Sequence, residues 1–198
     1  METPTTRRRG RPGHDLDAVL AAAVRLFNTH GYDATSMFDI AESLGITKSA
    51  LYHHVSGKEQ LLTMAVDRAL GGLEEAAAEV RATAAPAAAR LEDLIRRSVL
   101  VLAGRLEFVT LLLRVHGNTE AELHALARRR EFDRSVTDLV REAQSEGGVR
   151  ADVDPAVAAR LLFGMVNSLV EWYRPDRGAP ETIAAMVTTL AFDGLRTR

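Results

Sequence analysis

The chain has 198 residues, 46% hydrophobic and 26% charged, a balance that suits a globular protein and excludes a disordered, fibrous or membrane-spanning one. It contains no cysteine, which excludes disulfides, thiolate metal sites and cysteine nucleophiles and fits a reducing compartment. A formal net charge of −2 excludes a protein that coats nucleic acid through its overall charge, so any such contact has to be local.

In residues 1–14, Arg7, Arg8, Arg9 and Arg11 stand against Glu2 alone, forming a basic arm. Such an arm suits phosphates or a minor groove, and equally a solvated terminus. No apolar stretch follows the arginines, so the start does not read as a signal peptide and the chain reads as a soluble cytoplasmic protein. Ala, Leu, Arg and Glu recur at helical spacing while β-branched alternation is scarce, so the fold class reads as all-α.

Asp15 is a candidate N-cap for a first helix in which Leu16, Leu20, Ala23 and Phe27 form one stripe, ending at Gly31. Ser36 caps a short second helix with Met37, Ile40 and Leu44 on one face. Gly45 stops it and Thr47 caps a third, Lys48 to about His54. Ser56 and Glu59 read as a capping box that opens a fourth helix near Lys58, with Leu61, Ala65 and Ala69 inward. Gly71-Gly72 and the Ala-rich stretch to Pro86 are expected to bend or interrupt that helix. Further helices read as about Ala87–Gly104, Phe108–His116, Glu120–Glu146, Pro155–Arg174 and Pro180–Leu195. In the long one Phe132, Val136, Leu139, Val140 and Ala143 recur as a buried face. The domains read as an arm at 1–14, a helix-turn-helix unit at 15–63 and a larger helical unit at 64–198.

Two short helices held by a tight turn can present the second to a major groove. With Leu51 and Val55 facing inward, Lys48, Ser49, Ala50, Tyr52 and His54 stand on or near the exposed side. They offer donors for phosphates and base edges, and a small apolar group for a thymine methyl. One reader of this size buries too little surface to bind tightly alone, so two readers on a symmetric site are expected. Leu161, Leu162, Met165 and Leu169, with Ile183, Met186, Val187 and Leu190, give the last two helices long apolar faces. Those faces either pair two subunits in a four-helix bundle or close the subunit's own core.

The ordered series Gly31-Tyr32-Asp33-Ala34-Thr35-Ser36, Ile40-Ala41, Leu44-Gly45-Ile46, Leu51-Tyr52-His53-His54-Val55 and Lys58-Glu59-Gln60-Leu61-Leu62 resembles the DNA-binding domain of the TetR family of transcriptional regulators. The resemblance covers about residues 15–63. It implies Thr35 and Ser36 at a phosphate, Lys48, Ser49 and Ala50 near base edges, and Tyr52 and His54 at backbone and groove, with Thr47 and His53 beside them. Lys58 would hold a phosphate with help from the helix dipole. Each has a plainer alternative: Thr35 and Ser36 as caps, Tyr52 as packing, one histidine as an internal hydrogen-bonding group.

The resemblance further implies a homodimer and repression at a palindromic operator. It also implies a small-molecule effector that shifts the separation of the readers through the fourth helix. Val149-Arg150-Ala151-Asp152-Val153-Asp154-Pro155 and Val170-Glu171-Trp172-Tyr173-Arg174-Pro175 are similar to members that answer acyl-CoA thioesters in fatty-acid, phenylacetate or steroid breakdown. Phe108, Leu112, Phe132, Phe163, Met165 and Asn167 are candidate lining residues, with Arg114, Arg128, Arg129, Arg130 and Arg134 available to phosphates. Another hydrophobic drug or metabolite is the alternative effector, and no cofactor is expected. His116 and His124 form no H-E-x-x-H motif and no Gly-rich phosphate loop or serine elbow is present, so neither catalysis nor a metal centre is expected. A protein-interaction module without DNA binding is the reading from another class.

Overall fold

The computed structural model describes residues 15–195, so the basic arm at 1–14 lies outside the described residues. The chain separates into two compact units, Met1–Leu61 and Leu62–Arg198. All regular structure among the described residues is helical.

The first unit holds α1 (Leu16–His30), α2 (Met37–Ser43), α3 (Lys48–Tyr52) and the opening of α4 (Lys58–Ala82). Local chemistry sets every boundary. Asp15 accepts the Ala18 N–H at 2.8 Å to start α1, and Gly31, at φ +90°, ends it where an L side chain would be strained. Ser36 and Asp39 form a reciprocal box at α2: the Ser36 hydroxyl accepts the Asp39 N–H and Asp39 Oδ2 accepts the Ser36 N–H at 2.7 Å. Those bonds from the Ser36 backbone and then its side chain hold the Asp39 carboxyl below its ordinary pKa. Gly45, at φ +65°, makes the corner, and Thr47 accepts the Ala50 N–H to start α3. Val19, Leu20, Val24, Phe27, Ile40, Leu51 and Val55 are the core of this unit. Burying each of the larger ones is worth about 1.5–3 kcal/mol.

Two boundaries differ from expectation. At the start of α4 it is Gln60, not Glu59, whose side-chain oxygen accepts the Ser56 N–H at 2.6 Å, because the helix begins at Lys58 and Gln60 is its third residue. The pair Gly71-Gly72 neither bends α4 into two nor stops it. A side-chain carbon at Gly72 would sit 2.5 Å from Arg105 Nη1, and that same nitrogen donates to the Arg68 carbonyl at 2.6 Å. Gly72 therefore leaves room for the Arg105 side chain rather than breaking the helix.

The second unit continues with α5 (Ala87–Gly104), α6 (Leu106–Leu113), α7 (Glu120–Ser145), α8 (Pro155–Trp172) and α9 (Pro180–Leu195). α5 is the central helix: it packs on α7, α8 and α9, and Leu91, Leu94, Ile95, Val99 and Leu102 are buried along it. Its buried Ser98 donates to the Leu94 carbonyl at 2.7 Å, so no polar cost remains at the centre. Glu122, also buried, accepts from the backbone N–H groups of His116, Asn118 and Thr119 at the entrance of α7. That carboxylate is a helix cap, and among the described residues no group of three His, Asp or Glu side chains could hold a metal ion. The Val149–Pro155 block is the α7–α8 corner. Gln144 Nε2 donates to the carbonyls of Arg150 and Val153, Arg150 pairs with Asp152, and Asp154 caps α8 just before Pro155. No described helix is long and apolar enough to cross a membrane.

Candidate functional site

α3 is short, and Leu51 is its one buried residue. That single anchor, with Val55 beyond the helix end, turns the rest of the segment outward. Lys48, Ser49, His53 and His54 are exposed, Tyr52 is 46% exposed, and Ala50 is half-covered. Lys48 Nζ lies 5.8 Å from the centre of the Tyr52 ring one turn on, so the cation and the aromatic face form one patch. The surface thus carries a cation, hydroxyls, imidazoles and an aromatic edge within two turns, the set needed to follow phosphates and touch base edges. Thr47 and Ser36 are exposed too, but their hydroxyls are used as caps.

Two predicted contacts sit differently. Thr35 is only 2% exposed, and its hydroxyl donates to the Gly31 carbonyl at 2.8 Å, so its side chain is engaged at the α1–α2 corner. Lys58 is half-buried: Nζ donates to the carbonyls of Tyr32 at 2.8 Å and Asp33 at 3.3 Å and lies 4.3 Å from the Tyr32 ring centre. Tyr32 in turn meets Phe27 edge-on at 5.1 Å. Lys58 thereby ties the α1–α2 corner to the start of α4, a role that residue spacing does not reveal. The exposed Phe38, in the first turn of α2, was not singled out by sequence; an apolar side chain there has no local partner to signal its exposure.

In the second unit the predicted pocket residues fall into separate places. Arg128 grips Glu74 with both Nε and Nη2, at 3.1 and 2.8 Å, and pairs with Asp67 through Nη1. The Glu74 bond, ahead of the cost of burial, raises the arginine's pKa further. This guanidinium is thus already engaged by two carboxylates of α4. Phe108 lies under the Arg68 guanidinium at 5.3 Å and Leu112 is buried, and neither lines the cleft that holds Phe163 and Asn167. Phe132 meets Phe163 edge-on at 5.1 Å.

What the structure does bring together is a cleft of about 440 Å³ between α7 and α8. Arg129, Asp133, Val136 and Thr137 come from one wall, Ala156, Ala159, Arg160, Phe163, Gly164 and Asn167 from the other, and Arg134 stands at the edge. Although water reaches Asp133, packing around it raises its carboxyl above the ordinary 3.8, while Arg129 and Arg160 pull the other way. Sequence reading missed Asp133 and Arg160. The signal present is spacing: Arg129, Asp133 and Val136 share a face of α7, as Arg160, Phe163 and Asn167 do on α8.

The expected dimer residues divide as well. Leu162, Leu169 and Val187 are buried in the subunit's own core, and Met165 and Ile183 are half-covered. Leu161 at 64%, Met186 at 57% and Leu190 at 71% remain exposed, joined by Val157 and Trp172 at the same helical spacing.

Comparison with known proteins adds the following. The sequence model described as "Bacterial regulatory proteins, tetR family" matches residues 19–64, and "Tetracyclin repressor-like, C-terminal domain" matches residues 84–195. The chain is 26% identical over 196 residues to the HTH-type transcriptional repressor KstR2 of Rhodococcus jostii, covering 94% of this chain and 93% of that one. It is similar to the crystal structure of SCO3833, a TetR transcriptional regulator family member from Streptomyces coelicolor A3. That match has a TM-score of 0.85, 47% identity, and covers 100% of this chain and 97% of the other. The crystal structure of AibR in complex with isovaleryl coenzyme A and operator DNA matches with a TM-score of 0.75 and 31% identity, covering 89% and 97%.

Proposed function

This chain belongs to the TetR family of regulatory proteins, and we propose that it works as a dimeric repressor that leaves a palindromic operator when an acyl-CoA thioester occupies its second unit. It is a DNA-binding transcriptional regulator and not an enzyme. The observation that carries the DNA reading is the outward patch of Lys48, Ser49, Tyr52, His53 and His54 on a helix fixed by Leu51 and capped by Thr47. Lys48, Ser49 and Ala50 are assigned to base edges, Tyr52 and His54 to backbone and groove. Ser36 and Thr47 hold the helix starts beside the DNA, and Lys58 acts on the corner at Tyr32 rather than as a free clamp. Residues 15–63 form the reader and 64–198 the effector and dimer domain.

The exposed stripe of Leu161, Met186, Leu190 and Trp172 supports pairing of α8 and α9 with their copies in a partner, because apolar area of that kind on a lone subunit is costly. The thioester reading is supported by a relative seen with isovaleryl-CoA and by the arginine-rimmed, partly apolar cleft between α7 and α8. A DNA partner puts its work in the cytoplasm. The test is selection from randomised duplex DNA by the purified protein, repeated with a panel of acyl-CoA thioesters. A palindrome whose occupancy falls with one thioester is expected. A palindrome indifferent to every thioester would leave the repressor and assign the effector to another hydrophobic small molecule, and absence of any enriched sequence would sink the reading.

A further inference from the structure

α4 is the helix through which the chain passes from the first unit into the second, and it runs unbroken from Lys58 to Ala82 although it contains Gly71-Gly72. Glycine is the poorest helix former after proline, so this turn is the weakest of the helix by its own chemistry. Two arginines from other elements hold it. Arg128, from α7, grips Glu74 through Nε at 3.1 Å and Nη2 at 2.8 Å and pairs with Asp67 through Nη1. Asp67 and Glu74 stand about two turns apart on one face, one before the glycines and one after, so the guanidinium spans the weak turn as a splint. Arg105, at the α5–α6 corner, donates from Nη1 to the Arg68 carbonyl at 2.6 Å, and in an α-helix that carbonyl is the acceptor for the Gly72 N–H. Gly72 lies about 140° around the axis from Asp67, so the two arginines grip α4 from different sides. The bare backbone of Gly72 admits the second one: a side-chain carbon there would lie 2.5 Å from Arg105 Nη1 and 3.0 Å from Val101 Cγ1. At Gly71 the same carbon would meet nothing within 4 Å.

We propose that Arg105 and Arg128 are positioning residues for operator binding: they brace the Gly71-Gly72 turn of α4 so that the two readers of a dimer meet a palindrome already ordered. The proposal rests on the dimeric repressor reading. Once one reader is bound, the other binds in an intramolecular step whose effective concentration depends on the stiffness of the link, and α4 is part of that link. A loosened turn spreads the second reader over positions that miss its half-site and must be ordered on binding. Binding of one reader to one half-site is unaffected. The brace therefore acts on the palindrome and not on its halves, which separates it from a contact that merely stabilises the fold.

The test measures the full-length protein by fluorescence anisotropy against the selected palindrome and against a duplex with one half-site scrambled. Light scattering gives the mass of every variant, and hydrogen exchange is followed over residues 67–76. Arg128→Gln is expected to weaken palindrome binding about tenfold, leave the single half-site unchanged and speed exchange in that stretch about tenfold, at unchanged mass. Arg105→Gln should act in the same direction. Gly71→Ala added to Arg128→Gln should recover most of the palindrome affinity, because alanine stiffens the turn without restoring the ion pair. Equal loss on both duplexes would place the defect in the reader and overturn the proposal. Wild-type palindrome affinity in both arginine variants, or no recovery with Gly71→Ala, would overturn it too. Selection by the wild type keeps the two failures apart: a selected palindrome that both arginine variants bind as tightly as wild type sinks only this inference, whereas no selected sequence sinks the regulator reading and the brace with it.

Discussion

The two units use their charged side chains in opposite ways. In the first, the cation of Lys48 and the imidazoles of His53 and His54 are left at the surface while short local bonds from Asp15, Ser36 and Thr47 set the helices. In the second, Arg90, Arg97 and Arg128 are bound to carboxylates on other helices, while Arg129 and Arg160 line the α7–α8 cleft with no ion pair within 4 Å among the described residues. The charge left at the surface of α3 is what the proposed DNA contact uses. Charge already paired marks architecture.

This contrast can be broken at several strengths. Leu51 is the only buried residue of α3, so Leu51→Ala should cost about 2–5 kcal/mol and unfold the reader first, seen as an early step in thermal denaturation. A single late transition at wild-type temperature would mean that α3 is not held by that anchor. Leu161→Glu combined with Leu190→Glu should halve the mass measured by light scattering and lower operator affinity at least about a hundredfold. An unchanged mass would remove the dimer from α8 and α9. Arg128→Ala should cost about 1–2 kcal/mol, modest because Glu74 and Asp67 remain open to water, while thioester affinity stays as it was. A large loss of thioester affinity would return Arg128 to the effector site.

The smallest effect concerns Asp133. Its folded pKa is raised, chiefly by loss of water around it, so its ionised form opposes folding. That cost is absent well below the unfolded carboxyl's 3.8 and sets in as pH climbs past it. Asp133→Asn should therefore be slightly more stable than wild type at pH 7, and the gain should vanish near pH 3. Equal stability at both pH values would contradict the raised pKa.

The same contrast explains what could be read without coordinates. The reader's boundaries are made by residues three or four apart, such as Asp15 with Ala18, Ser36 with Asp39 and Thr47 with Ala50, and spacing alone exposes them. The inward roles of Leu51 and Val55 follow from the same periodicity. In the second unit the partners lie far apart in the chain: Arg128 and Glu74 are separated by 54 positions, and Arg129 and Arg160 line one cleft only once α7 packs on α8. A run such as Arg128-Arg129-Arg130 gives no local sign of which member is already engaged. The backbone partners of Thr35 and Lys58 were hidden for a related reason, since a hydroxyl or ammonium suited to a phosphate is equally suited to a backbone carbonyl.

The most direct test of the central claim is the affinity of wild type and Lys48→Ala for the selected duplex, titrated by fluorescence anisotropy across a range of salt. The account requires Lys48→Ala to lose about 1–3 kcal/mol of binding, with weakened preference at one position of each half-site and unchanged thermal stability. Equal affinity, equal preference and an equal salt slope for the two proteins would show that α3 does not read the DNA.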